Sequence, residues 1–433
     1  MTAAPERFGW FGLAVWFLAA FGFFFAWVLR VSPSVMIEPL MAEFQVGGAV
    51  LGMLSGLYFY TYAILQAPAG LAMDRWGPRR ALALAALVTS CGCGLFAVAP
   101  TIEIAYLGRL LIGAGVAFAF LGSLVLASAW FPPRRFATFS GLGMGIGLLG
   151  GIAGQAPMAL LVERAGWREA MMALAVGALL LAAATWLVMR DGPEPRRPVP
   201  ARAKGESVLR GLWNVMRRPQ TLYIAFFAGL MSSPMLAFGA LWGVPFTMQA
   251  YGLGKIEAAS VMAPILFGFT AGAPAWGWFS DRIRRRKAPM LAGGLTGLAS
   301  VSAAIYLPGL PLAAYSVLLF FVGVGGACMA VSYAAAREHN AGGGTGAALG
   351  FVNMMAVAGG AVFQPLLGWL LDLQWDGTLA AGARIYSLEA YRTAFLVLPG
   401  LLVLGIVMAL RVRETWCRPY AAPVSPATAA VEA

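Results

Sequence analysis

The sequence predicts an all-α membrane protein of twelve transmembrane helices arranged as two six-helix repeats. Three observations carry that expectation. The 433 residues are 60% hydrophobic and only 11% charged, with a mean hydropathy of +0.78, whereas about a quarter of a soluble chain is charged. Apolar runs of twenty or more residues recur, long enough to cross a hydrocarbon core of about 30 Å at about 1.5 Å per helical residue and too long for strands. An internal duplication relates the two halves. Backbone groups in lipid must find partners within their own segment, so such runs form helices joined by short connections.

The first apolar run, from about Phe8, exceeds a signal-peptide core and has no small-residue cleavage pattern after it, so it reads as a retained helix 1. Polar breaks then place spans near 9–37, 48–72, 81–99, 104–130, 137–162 and 168–189. Six more follow near 220–248, 257–280, 288–307, 311–335, 345–372 and 390–411. The segment between the sixth and seventh spans is rich in proline and basic residues. The expected layout is therefore a bundle over 1–190, a basic linker over 191–218, a second bundle over 219–412 and a tail over 413–433.

Twelve spans put both termini on one side. The loops there carry Arg7, then Arg75, Arg79 and Arg80, then Arg134 and Arg135, followed by Arg190 and seven basic residues in the linker. Five more lie between Arg282 and Lys287, and the rest are Arg337, Arg411, Arg413 and Arg418. This bias makes that side cytoplasmic, so both termini are expected there. Charge placed at span ends accounts for the net +12 without nucleic acid, and the polybasic linker can also meet anionic lipid headgroups. Cys91, Cys93 and Cys328 lie in apolar runs and Cys417 in the tail, no CxxC pair occurs, and there is a single histidine. No metal site, disulfide framework or cofactor is expected. That histidine, His339, stands beside Arg337 and Glu338 in "REHNAGGG" and reads as a solvated loop side chain. A phosphate-binding G-x-x-x-x-G-K-[ST] loop is missing, so direct ATP coupling is not expected, and the chain does not read as an enzyme.

The duplication shows first in "GLAMDRWGPRR". Gly70, Asp74 and Arg75 fall 207 residues before Gly277, Asp281 and Arg282, and Arg79 and Arg80 precede Arg286 and Lys287 by the same offset. "GLGMGIGLLGGIAGQAPMALLVE" from Gly141 matches "GFVNMMAVAGGAVFQPLLGWLLD" from Gly350 at an offset of 209, pairing Gln155 with Gln364 and Glu163 with Asp372. Two parallel repeats are a transporter architecture, with substrate expected near the bilayer midplane between the halves.

"GLAMDRWGPRR" resembles the helix 2–3 loop signature of the major facilitator superfamily, and "YLGRLLIGAGVAFA" from Tyr106 is similar to its helix 4 motif. Together with "RVSPSVM" at Arg30 and "YFYTYAILQAPAGLAMDR", the chain resembles a bacterial branch that carries organic anions, nitrate-like ions, peptides and siderophores. The resemblance implies the superfamily fold, an inner-membrane location, a small-molecule substrate, monomeric action, and a proton as candidate coupling ion. It also implies a conformational latch of Gly70, Asp74, Arg75, Gly77, Arg79 and Arg80, with helix 11 as the usual partner. Gly277, Asp281 and Arg282 form the second copy, which lacks the second glycine. A carboxylate at a helix end can meet the positive N-terminal end of another helix or a guanidinium, joining two helices in one state and releasing them in the other.

Glycines at three- and four-residue spacing on helices 5 and 11 read as close-packing faces. The family's antiporter signature is incomplete, since Gly154 and Pro157 are separated. The informative charges lie within spans, where an arginine costs about 2.5–3.5 kcal/mol on insertion scales. Arg30, roughly eight residues or about 12 Å from the outer end of helix 1, and Arg109, roughly six residues or about 9 Å from that of helix 4, can share a depth. The family's helices 1, 4, 7 and 10 line its cavity, which implies that both guanidiniums can bind an anion there. Tyr58, Tyr62, Gln66, Gln155, Tyr333, Asn353 and Gln364 are the uncharged polar candidates for the cavity wall, Tyr58, Tyr62 and Gln66 sharing one helical face. No acid falls mid-span, leaving Glu38 and Glu103 near outer ends as candidates for proton coupling.

The expected function is rocker-switch transport of a small polar, anionic organic solute, by symport, exchange or uniport. Export of amphipathic or siderophore-type compounds is the alternative if Phe23, Phe24, Phe25 and Trp27 line the cavity, and a non-transporting sensor or scaffold is the alternative of another class.

Overall fold

The structure, a computed structural model, describes residues 9–132, 135–192, 213–341 and 345–419, without the side chains of Ala67, Leu71, Asp74, Phe136 and Ala137. Arg7, Arg134, most of the basic linker, the end of the tail and the Asp74 carboxylate lie outside the described residues.

Among the described residues, twelve helices are long and apolar enough to cross a membrane. They are α1 (Trp10–Val35), α2 (Gly48–Gln66, continuing to Trp76), α3 (Pro78–Ala97), α4 (Ile102–Trp130), α5 (Thr138–Ala165) and α6 (Trp167–Val188). The second repeat holds α7 (Pro219–Tyr251), α8 (Lys255–Ile283), α9 (Lys287–Tyr306), α10 (Leu312–His339), α11 (Ala347–Leu373) and α12 (Leu388–Arg411). Each falls within a few residues of its expected span. The face at which α1 starts and α12 ends is called the near face below, and the opposite one the far face.

Local chemistry explains the boundaries. Gly77 ends α2 with φ at +81°, a conformation only glycine adopts without strain, and Pro78 then opens α3 where its missing N–H costs nothing. In α7, Pro234 precedes a stretch of wider π-helical turns, Met235–Trp242. Two features on the far face had no counterpart in the sequence reading: a short helix, Ile37–Phe44, and a small hairpin pairing Leu379–Ala380 with Ala383–Arg384.

The halves meet toward the far face. There α2 and α11 touch backbone to backbone: a Cβ at Gly52 would stand 2.4 Å from the Gln364 carbonyl oxygen, and one at Gly368 would stand 2.1 Å from that of Gly48. Small residues permit this approach, as in other close helix pairs within membranes. Toward the near face the seam opens. Gly141, Gly145, Gly277 and Gly350 have nothing within 4 Å of where a Cβ would be, and Ile64 on α2 is 70% exposed. Of the expected close-packing glycines, Gly150 and Gly154 press on α1 at Phe24 and Val28, and Gly359 and Gly360 on Ser233 and Phe59.

"REHNAGGG" is not a loop throughout. Arg337, Glu338 and His339 form the last turn of α10, and Glu338 is buried because Arg286 binds it through Nε (3.1 Å) and Nη2 (2.7 Å). His339 is half-buried, with Nδ1 2.9 Å from the Ala335 carbonyl oxygen.

Candidate functional site

The described latch residues, which leave out the Asp74 side chain, make their near-face contacts within their own halves. Asp281 pairs with Arg286 at 2.7 Å, Arg286 carries the link on to Glu338, and Thr415 donates to the same carboxylate. Glu414 accepts from the backbone N–H groups of Arg286 (2.7 Å) and Lys287 (3.0 Å), capping the start of α9. Burial opposes the Arg286 charge, yet hydrogen bonds to Glu338 and Asp281 hold its pKa above the ordinary value. The first repeat uses the same device: Asp191 accepts from the Arg79 N–H (2.7 Å) against Gly77, and the Arg79 side chain donates to the Trp186 carbonyl (2.8 Å). Arg75 and Arg80 are exposed, Arg282 lies over Trp278, and Gly70 packs near Leu121. None of these described side chains bridges the halves, because the near face is where the halves have parted.

The bridging carboxylate is instead on the far face. Asp372, at the end of α11, accepts hydrogen bonds from the Gly48 and Ala49 N–H groups, both at 2.8 Å. These are the first N–H groups of α2, whose N-cap, Gly47, has no side chain to satisfy them, so a residue of the other half supplies the cap. Tyr386 (2.6 Å) and Arg384 (3.1 Å) hold Asp372 from the loop after α11. Lys255 and Glu38 add a second link between the halves at 3.1 Å. The duplication had paired Asp372 with Glu163, which is exposed and makes no comparable link.

Between these faces lie the two span arginines. α1 ends at Val35, so Arg30 is five residues from its end, about 7 Å, closer than expected, while Arg109 is seven residues, about 10 Å, from the start of α4. Arg30 is 6% exposed, which removes snorkelling to the headgroups as an account of it. Its guanidinium carbon lies 4.4 Å from the centre of Trp27, 5.2 Å from Tyr62, 5.5 Å from Tyr58 and 5.7 Å from Phe59. Nε has no hydrogen-bond partner, and among the described residues no carboxylate lies within ion-pair distance of it.

Arg109 is placed differently. It is 1% exposed and donates to the carbonyls of Leu29 (2.9 Å), Leu54 (3.3 Å) and Ser55 (3.4 Å). Instead of lining a cavity it ties α4 to α1 and α2. The Tyr58 ring stands within 5.2 Å of this guanidinium as well as 5.5 Å of the other, and its hydroxyl donates to the Ala26 carbonyl (3.0 Å). Tyr58 thus offers its electron-rich ring to two like charges at once.

The other polar candidates divide. Gln155 and Gln364, partners in the duplication, both send their amide N–H₂ to the π-helical stretch of α7, Gln155 to Gly239 (3.3 Å) and Gln364 to Leu236 (2.7 Å). Each leaves a buried carbonyl oxygen without a partner. Tyr333 donates to Asn353 (3.0 Å), joining α10 to α11, and Gln66 is partly exposed one turn beyond Tyr62. Trp27 and Phe59 stand beside the guanidinium without any sign of it in the sequence, since aromatics in an apolar run do not show that they face a charge. Phe23 packs on Phe120 at 4.8 Å between ring centres. No cluster of metal-binding side chains occurs among the described residues.

The family model of the Major Facilitator Superfamily matches residues 16–364 and 245–430. The chain belongs to the major facilitator superfamily. A protein of Agrobacterium vitis named as a tartrate transporter is 24% identical over 406 residues, covering 86% of this chain and 87% of its own length. Monocarboxylate transporter 11 of Mus musculus is 27% identical over 86% of this chain and 84% of its own. Among solved structures, a bacterial homolog of the human lysosomal transporter Spinster, inward-facing and unoccupied, superposes with a TM-score of 0.76 at 17% identity, covering 98% of this chain and all of that one. As a member of this superfamily the chain is a multi-pass membrane transporter and not an enzyme.

Proposed function

We propose that this transporter carries small organic anions by alternating access, with Arg30 as the group that receives the anion. The observation that carries this reading is a buried guanidinium with no acidic partner, set in aromatic rings between the two halves. An uncompensated buried charge is costly, and a planar donor fork is suited to a carboxylate that would compensate it. The names of the tartrate and monocarboxylate relatives support a carboxylate substrate.

The basic residues of the near-face loops support a cytoplasmic near face, and the packed far face is then the outer one, in the inner membrane of a bacterial-type cell. In that orientation the conformation described is inward-open. The bundles 1–190 and 219–412 are read as the two rocking bodies, joined by the linker 191–218, with the first residues of the tail, 413–419, docked on the second body and the molecule acting as a monomer. Glu38 is engaged by Lys255 and Glu103 is exposed, which favours uniport or anion exchange over proton symport. Phe23 is buried against Phe120, so of the aromatic residues on which export of amphipathic compounds would rest, Trp27 is the one that stands beside Arg30.

Uptake of labelled benzoate, lactate and tartrate into proteoliposomes, with and without a pH gradient, tests the reading. At least one is taken up, and Arg30→Ala lowers its uptake more than tenfold while purified yield is kept. Undiminished anion uptake by Arg30→Ala overturns the assignment.

A further inference from the structure

Resting on the anion-carrier reading, the geometry points to a narrower substrate class: we infer that the site takes organic acids with a single carboxylate on an apolar or aromatic body, and discriminates against dicarboxylates. The argument turns on how many cations are available at depth. Two arginines lie within the described spans away from their ends, and they are not equivalent.

Arg109 has Nε, Nη1 and Nη2 each on a backbone carbonyl of α1 or α2, and it is the more deeply buried of the two. Turning it toward a substrate would strip three hydrogen bonds from a buried charge and unfasten three helices of one half. Arg30 is held by no backbone carbonyl: its Nε is unpartnered, its side-chain partners are the hydroxyls of Tyr58 and Tyr62, which can turn with it toward a carboxylate, and rings surround it on several sides. One carboxylate therefore finds one guanidinium with no acidic partner and no backbone carbonyl to give up.

A second carboxylate on the same molecule finds none. The groups beside Arg30 are the rings of Trp27, Tyr58, Tyr62 and Phe59 and the two tyrosine hydroxyls, and these, like the unpartnered polar atoms buried nearby in sequence, Trp27 Nε1 and Ser55 Oγ, are neutral. A neutral donor can orient a carboxylate but does not offset the loss of its hydration, so a dianion enters with one charge desolvated and unpaired. An apolar or aromatic body instead replaces water against the same ring faces. The rings that make the pocket tolerable for Arg30 thus also set what can accompany the carboxylate.

The test uses the purified full chain and matched pairs differing by one carboxylate: benzoate against phthalate, and butyrate against succinate. Affinities are read by quenching of tryptophan fluorescence and by competition for uptake in proteoliposomes, for the parent and for Arg30→Gln. Each monoacid is expected to bind at least tenfold more tightly than its diacid, with benzoate ahead of butyrate, and Arg30→Gln to remove most of the monoacid affinity. Diacids that bind as well as or better than their monoacids, with binding still dependent on Arg30, overturn this inference and leave the anion-carrier reading in place. Binding of all four that is indifferent to Arg30→Gln overturns both.

Discussion

The cap that Asp372 places on α2 makes a quantitative claim about the far-face closure. Asp372→Asn keeps the size of the side chain and one carbonyl oxygen but removes the charge and one acceptor. Of the bonds Asp372 makes, those to Tyr386 and Arg384 stay within its own half and persist when the halves part. Only the two from Gly48 and Ala49, each 2.8 Å, distinguish closed from open. Gly48 retains a second acceptor, since its N–H is also 2.9 Å from the Tyr386 hydroxyl oxygen, so the uncompensated loss falls on Ala49 and on the charge facing the helix end. A hydrogen bond to a charged group is worth about 1.5–3 kcal/mol and the helix-end term about 0.3–1 kcal/mol. After the retained neutral bond is allowed for, the closed far face loses about 1.5–3 kcal/mol, and the open-to-closed ratio rises about 10- to 100-fold. Spin labels at Gln45 and Leu379, both exposed on opposite halves of the far face, report this as a gain of the longer distance by double electron–electron resonance in a cysteine-free background. Glu163→Gln, at the exposed copy of the same position, is the control and leaves the distances unchanged. Superimposable distributions for Asp372→Asn and the parent, or an equal shift in Glu163→Gln, would refute the reasoning.

Two further outcomes follow from the same seams. Gly52→Leu drives a side chain into the Gln364–Pro365 backbone, so it should hold the far face open and reduce transport to background while expression is retained; normal transport would show that α2 and α11 can separate without cost. Glu338→Gln removes the charge from a buried pair with Arg286 and should destabilise the second half by about 3–5 kcal/mol, read as a lower melting temperature, whereas Asp281→Asn, at an exposed carboxylate on the same arginine, should cost less than about 1 kcal/mol.

Span positions were legible because they depend on a coarse property, the length of apolar runs, and the structure moves their ends by only a few residues. The two-repeat layout was legible for a similar reason, since composition and spacing survive without knowledge of contacts. The partners of individual side chains were not. Nothing in "YLGRLLIGAGVAFA" says that Arg109 will meet backbone carbonyls of two other helices, because those carbonyls belong to Leu29, Leu54 and Ser55, which carry no polar side-chain signal except a serine whose hydroxyl is not the acceptor. Backbone acceptors are invisible to any reading of residue types. The same limit hid the cap on α2: Asp372 stood in the aligned repeat, but its partners are the N–H groups of a glycine and an alanine.

That limit also explains why the duplication misdirects at the level of single residues. Repeats fix which helices correspond, but the two seams between the halves, α2 with α11 and α5 with α8, are not made of corresponding residues. At the start of α8 the Glu257 side chain reaches back to the Gly254 N–H, a cap made within the helix, so Glu163 has no orphan donors to serve there. α2 begins Gly47-Gly48-Ala49-Val50, with no acid or hydroxyl in its first turn, and its donors can be satisfied only from outside. An acid at the end of α11 is therefore required by the composition of α2, and the matching acid at the end of α5 is free. The far-face latch follows from the weakness of one helix N-terminus, and the asymmetry between the two repeats falls where their first turns differ.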